Sequence, residues 1–359
     1  MRRALYQVHV WLGVLTGLYV SVVCVSGAAL VFRIDMQRAL HPHLFTASAG
    51  GPLADPVAVM ERVSRAYPAH KLSGVDAPTT LRPTYLAYVT SGAEFRTVLI
   101  DPVSTAVLGE LPDHPAIRAL RDVHYNLLGG RTGRTLNGVG AFGILALCAT
   151  GLVVWWPGRK SWRRGFVIDF SRRGRRVIWE LHRAIGVWSV AFIAVTAITG
   201  LSFVFPAGFR ALVNRVSPIT VSRSPQSGAP AGSAGVPSRR EVIDRARPLA
   251  AGQHVARVVL PFGDRGAYLV MFATRSPTPA SSELTSIYID QYTGERLATV
   301  VAERSWGDAV MAQMMPLHVG GLAGQAGRIA WFVLGLSPAV LFVTGLMVWW
   351  RRVGRPRVF

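Results

Sequence analysis

The sequence predicts a membrane protein: an all-α bundle of four transmembrane helices, built from two tandem repeats and carrying two small α+β lobes outside the membrane. Half of the 359 residues are hydrophobic and only 16% are charged, a composition too apolar for an ordinary soluble enzyme. Four uncharged apolar runs each approach the roughly 20 residues that a helix needs to span a bilayer. The two halves of the chain also repeat one pattern of residues.

The apolar runs divide the chain into spans and segments outside the membrane. They cover residues 10–32, 138–156, 184–209 and 329–350. We therefore predict transmembrane helices within residues 1–33, 136–157, 181–209 and 329–350. The remaining segments are two lobes at residues 34–135 and 210–328, a basic loop at residues 158–180 and a tail at residues 351–359.

Positive charge is concentrated beside the spans, in the basic loop and after the last span. These residues are Arg159, Lys160, Arg163, Arg164, Arg172, Arg173, Arg175 and Arg176 in the loop and Arg351, Arg352, Arg355 and Arg357 in the tail. By the positive-inside rule, both termini and the loop are cytoplasmic and the two lobes are periplasmic, in a bacterial inner membrane. The formal charge of +20 is thus an orientation signal in a lipid bilayer, and we expect no nucleic-acid partner.

The two halves of the chain match at two constant offsets. Residues 9–13 and Gly27 parallel residues 182–186 and Gly200 at an offset of 173, while residues 124–130 and 150–152 recur as residues 318–324 and 344–346 at an offset of 194. Two parallel repeats imply a pseudo-two-fold axis along the membrane normal. Equivalent residues are then expected to face each other at equal depth.

Each lobe has the same predicted order of elements, an amphipathic helix followed by strands with alternating apolar residues. The helices are predicted at residues 56–67 and 239–249, and the strands at residues 85–89 and 97–101 in the first lobe and 268–272 and 286–290 in the second.

Four of the nine histidines occupy matched places: His9 with His182, and His124 with His318. Imidazoles on facing helices are what bis-histidine ligation of haem iron requires, and neighbouring glycines leave room for a flat macrocycle. Zinc or copper fits less well because no carboxylate or cysteine accompanies the pairs. We therefore predict two b-type haems. The alternatives are that each histidine is a polar anchor at the membrane interface, or that a methionine near His318, Met314 or Met315, supplies a thioether ligand.

Three arginines lie beside the histidine pairs. Arg183 follows His182 directly, and Arg134 and Arg328 follow the other pair in the chain. We predict that they bind haem propionates through charge-assisted hydrogen bonds. Positive-inside or interfacial anchoring is the alternative for all three.

Several of these motifs resemble the PepSY-associated transmembrane family, the iron-regulated membrane proteins that include ferric-siderophore reductases. The matching motifs are His9-Val-Trp-Leu-Gly, His182-Arg, Pro316-Leu-His318, Thr344-Gly-Leu with Trp349-Trp350, and, in lobes that look like PepSY domains, Ala66-Tyr67-Pro68, Ile100-Asp101-Pro102 and Ile289-Asp290. The resemblance covers nearly the whole chain.

The resemblance implies a b-type cytochrome, an oxidoreductase that passes electrons across the inner membrane to a ferric siderophore or another ferric chelate. Some members of the family carry a C-terminal flavoprotein reductase domain, and the sequence up to Phe359 has none. A separate electron donor is therefore expected, either quinol or a cytoplasmic flavoprotein. Two rival hypotheses are a haemless PepSY scaffold or binding protein and a transporter of the iron chelate.

Overall fold

The computed structural model describes residues 2–48, 50–92, 94–171, 174–219, 225–228, 236–274, 284–301 and 305–353. The chain falls into two compact units. The helical unit comprises Met1–Phe32, His114–Phe209 and Leu317–Phe359, and the sheet unit comprises Arg33–Asp113 and Arg210–Pro316. Arg172, Arg173 and residues 354–359, which the sequence places in the basic loop and the tail, lie outside the described residues.

The described helices and strands are numbered in chain order. The helices are α1 (Arg2–Leu30), α2 (Arg33–Leu40), α3 (Pro56–Ala66), α4 (Pro115–Asn126), α5 (Gly130–Trp155), α6 (Arg175–Val204), α7 (Pro206–Val216), α8 (Arg239–Ala246), α9 (Trp306–Val319), α10 (Gly324–Gly335) and α11 (Ser337–Val353). The strands are β1 (Lys71–Asp76), β2 (Tyr85–Ser91), β3 (Glu94–Ile100), β4 (Val107–Glu110), β5 (His254–Val259), β6 (Ala267–Ala273), β7 (Leu284–Asp290) and β8 (Arg296–Val301).

Four helical stretches of the described chain are long and apolar enough to cross a membrane, which confirms the four predicted spans. They are Arg2–Leu30, Gly130–Trp155, Arg176–Val204 and Gly321–Trp350. Because α1 and α6 begin well before the apolar runs, His9 and His182 lie inside regular helix. The fourth stretch is broken between α10 and α11, where Pro338 occupies the first turn of α11 and has no N–H to donate.

The spans pack as a bundle in which α1 contacts α5 and α11, and α6 contacts the same two helices. Glycines allow the close approaches. A methyl group at Gly140 would lie 2.2 Å from the Tyr19 hydroxyl, and one at Gly17 would lie 2.2 Å from the Phe342 ring. Small residues at crossing points are typical of helix packing in membranes.

Large apolar side chains cover the outer surface of these helices. Leu15, Leu18 and Trp188 are more than half exposed within the helical unit. In water, an exposed apolar surface of this kind would favour aggregation, whereas lipid tails solvate it at no cost. The outer surface of the spans is therefore consistent with contact to a lipid bilayer, as the sequence predicts.

All eight described strands form one antiparallel sheet in the order β4-β3-β2-β1-β5-β6-β7-β8. Strands β1 to β4 come from the segment in which the sequence predicts the first lobe. Strands β5 to β8 come from the segment of the second predicted lobe. The helices α3 and α8 pack on the sheet, and Met60, Val63, Ile243 and Phe272 lie in the common core. Each predicted helix and strand is present, and the sheet adds an edge-to-edge pairing of β1 with β5 that the sequence does not predict.

The helical unit also includes parts of the two segments that the sequence assigns to the lobes. Residues 114–135 and 317–328, predicted outside the membrane, belong to the helical unit. They contain α4 and the start of α10, helices that are too short or too polar to be recognised as spans. The third span ends at Val204 because Pro206 starts the separate helix α7.

Candidate functional site

The helical unit brings His9 of α1 next to His182 of α6. The ring centres lie 6.4 Å apart at an interplanar angle of 80°. His9 Nδ1 lies 3.1 Å from Thr150 Oγ1 on α5, and His182 Nδ1 lies 3.0 Å from Thr344 Oγ1 on α11. The two histidines and their two threonine partners thus come one from each of the four spans.

His124 of α4 and His318 of α9 form the second pair, with ring centres 6.1 Å apart and an interplanar angle of 48°. His124 Nδ1 donates to the Val23 carbonyl oxygen at 2.8 Å. His318 Nδ1 lies 2.8 Å from Thr199 Oγ1. The Phe203 ring packs edge-on against His318 at 5.3 Å. The structure therefore juxtaposes both pairs that the sequence singles out.

Both ring separations match the spacing expected for two imidazoles that would ligate one metal ion. An imidazole nitrogen binds a transition metal at about 2 Å and its ring centre lies about 1 Å further away, so two such rings have centres about 6 Å apart. Within the described part of the chain, no hydrogen bond involves Nε2 of any of the four histidines. Two neighbouring imidazoles with free ring nitrogens are the donor set of a bis-histidine haem site.

A cavity of about 260 Å³ surrounds the His9–His182 pair. This is close to the lower end of the range of about 300–1,000 Å³ for small-molecule sites. Its lining is mostly apolar and aromatic, and Gly13, Gly186 and Trp349 contribute to it. Each lining residue of α1 has a counterpart 173 positions later on α6, and each lining residue of α5 has one 194 positions later on α11.

Glycines lie against all four imidazoles. A methyl group at Gly151 would lie 3.2 Å from His9 Cε1, and one at Gly345 would lie 3.0 Å from His182 Cε1. At the second pair, a methyl group at Gly27 would lie 2.5 Å from His124 Cε1, and one at Gly200 would lie 3.7 Å from His318 Cε1. The backbone of a span therefore forms one side of each histidine's pocket.

Arg183 lines the cavity of the first pair. Its Nη2 donates to the carbonyl oxygens of Arg164 at 2.6 Å and Val167 at 3.0 Å, and its guanidinium lies 4.8 Å from the Trp179 ring centre. Its buried Nε has no hydrogen-bond partner among the described residues. Arg183 thus ties the basic loop to the cavity wall, with its Nε–H directed to no acceptor in the described residues.

Arg134 and Arg328 bond to carbonyl groups near the ends of spans. Arg134 Nη2 donates to Phe203 O at 2.6 Å, and Arg328 Nη2 donates to Val31 O at 3.0 Å. Cations at a helix C-terminus interact favourably with its free carbonyls and dipole. These contacts give both arginines a structural role in addition to any role toward a ligand.

The alternative ligands Met314 and Met315 share α9 with His318, but they belong to the sheet unit. Met314 is 8% exposed and Met315 is 43% exposed.

Three threonines contact the site histidines and were not among the predicted site residues: Thr150, Thr344 and Thr199. All three begin a Thr-Gly-Leu sequence, at residues 150–152, 199–201 and 344–346, so the recurrence of this motif is a usable signal. The motif alone does not show which residue the hydroxyl contacts, because the partner lies on another helix.

Four apolar spans, two histidine pairs and a separate antiparallel sheet together define a multi-pass membrane protein with a candidate site inside its helical unit. The family model of the PepSY-associated TM region matches residues 6–352, and the chain therefore belongs to this family, as its motifs predict. A comparison with curated proteins finds no match.

Proposed function

We propose that this protein is a di-haem electron-transfer protein of the bacterial inner membrane that reduces ferric chelates, such as ferric siderophores, in the periplasm. The carrying observation is that four histidines form two facing pairs, each histidine with its Nδ1 bonded and its Nε2 available. The matched cavity lining supports an origin of the helical unit from two tandem copies.

Haem b bound at each pair would supply reversible one-electron chemistry. The protein's own residues then have three tasks. The histidines ligate, the threonines and Val23 O fix the rings, and the apolar walls exclude water from the first site. Arg183, with its unused Nε donor, is the best-placed partner for a haem carboxylate at the first pair, and Arg134 and Arg328 are the corresponding proposals for the second.

The basic residues orient the protein in the membrane. Arg159, Lys160, Arg163 and Arg164 are exposed between α5 and α6, at the end of the bundle that carries His9 and His182. The positive-inside rule makes this end cytoplasmic. Electrons from quinol or a cytoplasmic flavoprotein would enter at the first pair and leave at the second, His124–His318.

The substrate is the Fe(III) of a chelate on the periplasmic side. One electron converts Fe(III) to Fe(II), and the softer, less charged ion binds hard oxygen ligands less tightly. Reduction therefore releases iron from an oxygen-donor chelate without breaking any covalent bond. The donor loses the electron, and the chelate iron gains it.

Single substitutions in oriented vesicles test this direction of flow. His182→Ala should remove the first haem and block reduction by a cytoplasmic-side donor, while the second haem stays reducible by dithionite. His318→Ala should remove the second haem and leave a first haem that accepts electrons but passes none to an external ferric chelate. Loss of both haems from either folded variant would contradict two sites in series.

Chelate reduction at the wild-type rate by His318→Ala would contradict the proposed exit. A colourless wild-type protein from haem-replete cells would instead favour a scaffold or binding role for the sheet unit. Orientation is tested separately: reporters after Phe359 or within residues 158–179 should report cytoplasm, and reporters near Ser227 should report periplasm.

A further inference from the structure

The hydroxyls that contact the site histidines each make a second hydrogen bond. Thr150 Oγ1 donates to Ala146 O at 2.7 Å, and Thr344 Oγ1 donates to Val340 O at 2.7 Å. Both acceptors are carbonyls four residues earlier on the same helix, the usual partners of a threonine inside a helix. A hydroxyl has one hydrogen and two lone pairs.

Because each hydroxyl hydrogen is already donated to its own helix, the oxygen is left to accept from the histidine. Thr150 Oγ1 and Thr344 Oγ1 therefore accept from Nδ1–H of His9 and His182 at 3.1 and 3.0 Å. A neutral imidazole with hydrogen on Nδ1 has none on Nε2. Each histidine thus presents an Nε2 lone pair before any metal arrives.

We propose that Thr150 and Thr344 are positioning residues that hold His9 and His182 in the Nδ1–H tautomer, ready for metal ligation through Nε2. The proposal deepens the proposed function and rests on it for the identity of the ligand, haem. The adjacent glycines leave room for the imidazoles, because any side chain at Gly151 or Gly345 would push the ring away from the hydroxyl. This gives the repeated Thr-Gly pair a physical role at the first site.

The second pair differs from the first in the partner of one histidine. Thr199 holds His318 in the same way, with its own hydrogen donated to Val195 O at 2.7 Å. Ser26 occupies the matched position on α1, but among the described residues its hydroxyl bonds only to Val22 O and Val23 O of its own helix. His124 Nδ1 donates to the Val23 carbonyl oxygen instead. A hydroxyl therefore accepts from both histidines only at the first pair.

The test uses the full-length protein in detergent, with Thr150→Val, Thr150→Ser and a control, Thr16→Val. Valine keeps the shape of threonine without the acceptor, and serine keeps the acceptor. Thr16 lies on α1, and its hydroxyl bonds to Leu12 O of its own helix at 2.7 Å and to no other residue in the described ranges. Haem b is titrated into apoprotein, and histidine nitrogen resonances of apoprotein labelled with nitrogen-15 report the tautomer.

We expect Thr150→Val to weaken haem binding at the first site by about 10- to 100-fold, the usual cost of losing the hydrogen-bond partner of a metal ligand. The variant apoprotein should show His9 in a mixture of tautomers, where the wild type shows Nδ1–H alone. Thr150→Ser should restore both properties, and Thr16→Val should match the wild type. Thr344→Val gives the same test at His182, should the first variant not fold.

Wild-type haem affinity together with an unchanged tautomer in Thr150→Val would overturn the positioning role, as would failure of serine to restore what valine removes. A wild-type protein that binds no haem would overturn the proposed function instead. The nitrogen resonances of the apoprotein would still decide the tautomer in that case.

Discussion

Asp76 on β1 and Arg257 on β5 join the two halves of the sheet unit. Arg257 Nε and Nη2 donate to the two carboxylate oxygens of Asp76 at 2.5 and 2.6 Å, and the Tyr88 hydroxyl donates to the same carboxylate at 2.9 Å. The two residues are also backbone partners in the β1–β5 ladder. A bidentate ion pair of this kind is geometrically specific, so it fixes the register of the junction.

Loss of the Arg257 side chain should destabilise the sheet unit. In Arg257→Met the nearly buried Asp76 carboxylate loses two donors, which costs about 1–3 kcal/mol. Thermal unfolding of the full-length protein, followed by protection of the sheet unit from protease, measures the change. Arg247→Met, at an exposed position after α8, is the matched control. Equal stability of both variants would show that the backbone ladder alone holds the junction.

Two aspartates at matched strand ends should make the sheet unit sensitive to acid. Asp101 follows β3, and Asp290 ends β7. Backbone N–H groups donate to each carboxylate, from Ser48, Val103 and Ser104 to Asp101 and from Gly228, Tyr292 and Thr293 to Asp290. Burial opposes ionisation, but these hydrogen bonds outweigh it and lower the pKa of both carboxyl groups.

A lowered folded-state pKa means that the ionised carboxylates stabilise the fold above the unfolded-state pKa of about 4. This contribution is lost as the pH falls below about 4 and through the folded-state pKa. Asp101→Asn should therefore be less stable than the wild type at pH 7, and the difference should shrink on acidification. Denaturant unfolding across this range measures it. Asp244→Asn, an exposed change on α8, is the matched control.

Matched glycines should differ in their tolerance of a methyl group. In Gly27→Ala the new methyl would lie 2.5 Å from Cε1 of His124, whose ring is held by its bond to Val23 O, whereas in Gly200→Ala it would lie 3.7 Å from Cε1 of His318. Overpacking of this kind costs about 1–3 kcal/mol. We expect Gly27→Ala to lose haem at the second pair and Gly200→Ala to keep it, as absorption spectra will show. Equal haem content in the two variants would contradict the geometry.

Hydrophobic patterning was sufficient to predict the spans, and the repeat was sufficient to pair His9 with His182 and His124 with His318. The hydrophobic pattern is a local signal and the repeat is an internal symmetry, so both can be read from a single sequence. The joining of β1 to β5 was not predictable in this way. Alternating residues show that a strand exists, but they do not show which edge it pairs with across a long sequence separation.

The hydroxyl partners of the histidines could not be predicted from the sequence for a related reason. Inside an apolar helix a threonine normally bonds to its own backbone. In the part of the chain that the structure describes, Thr16 makes this bond alone, whereas Thr150 makes it and also accepts from His9. Sequence context hardly separates the two cases, because the second bond depends on where another helix passes. The predicted roles of Arg134 and Arg328 have the same limit, since their carbonyl partners lie on other spans.

The haem content of the purified wild-type protein tests the central claim most directly. Full-length protein from haem-replete cells should be red, with a reducible low-spin b-type spectrum and about two haems per chain, because each histidine pair provides one bis-histidine site. His182→Ala and His318→Ala should each retain about one haem. A colourless preparation, or a wild-type content near one haem per chain, would contradict the assignment of two paired sites.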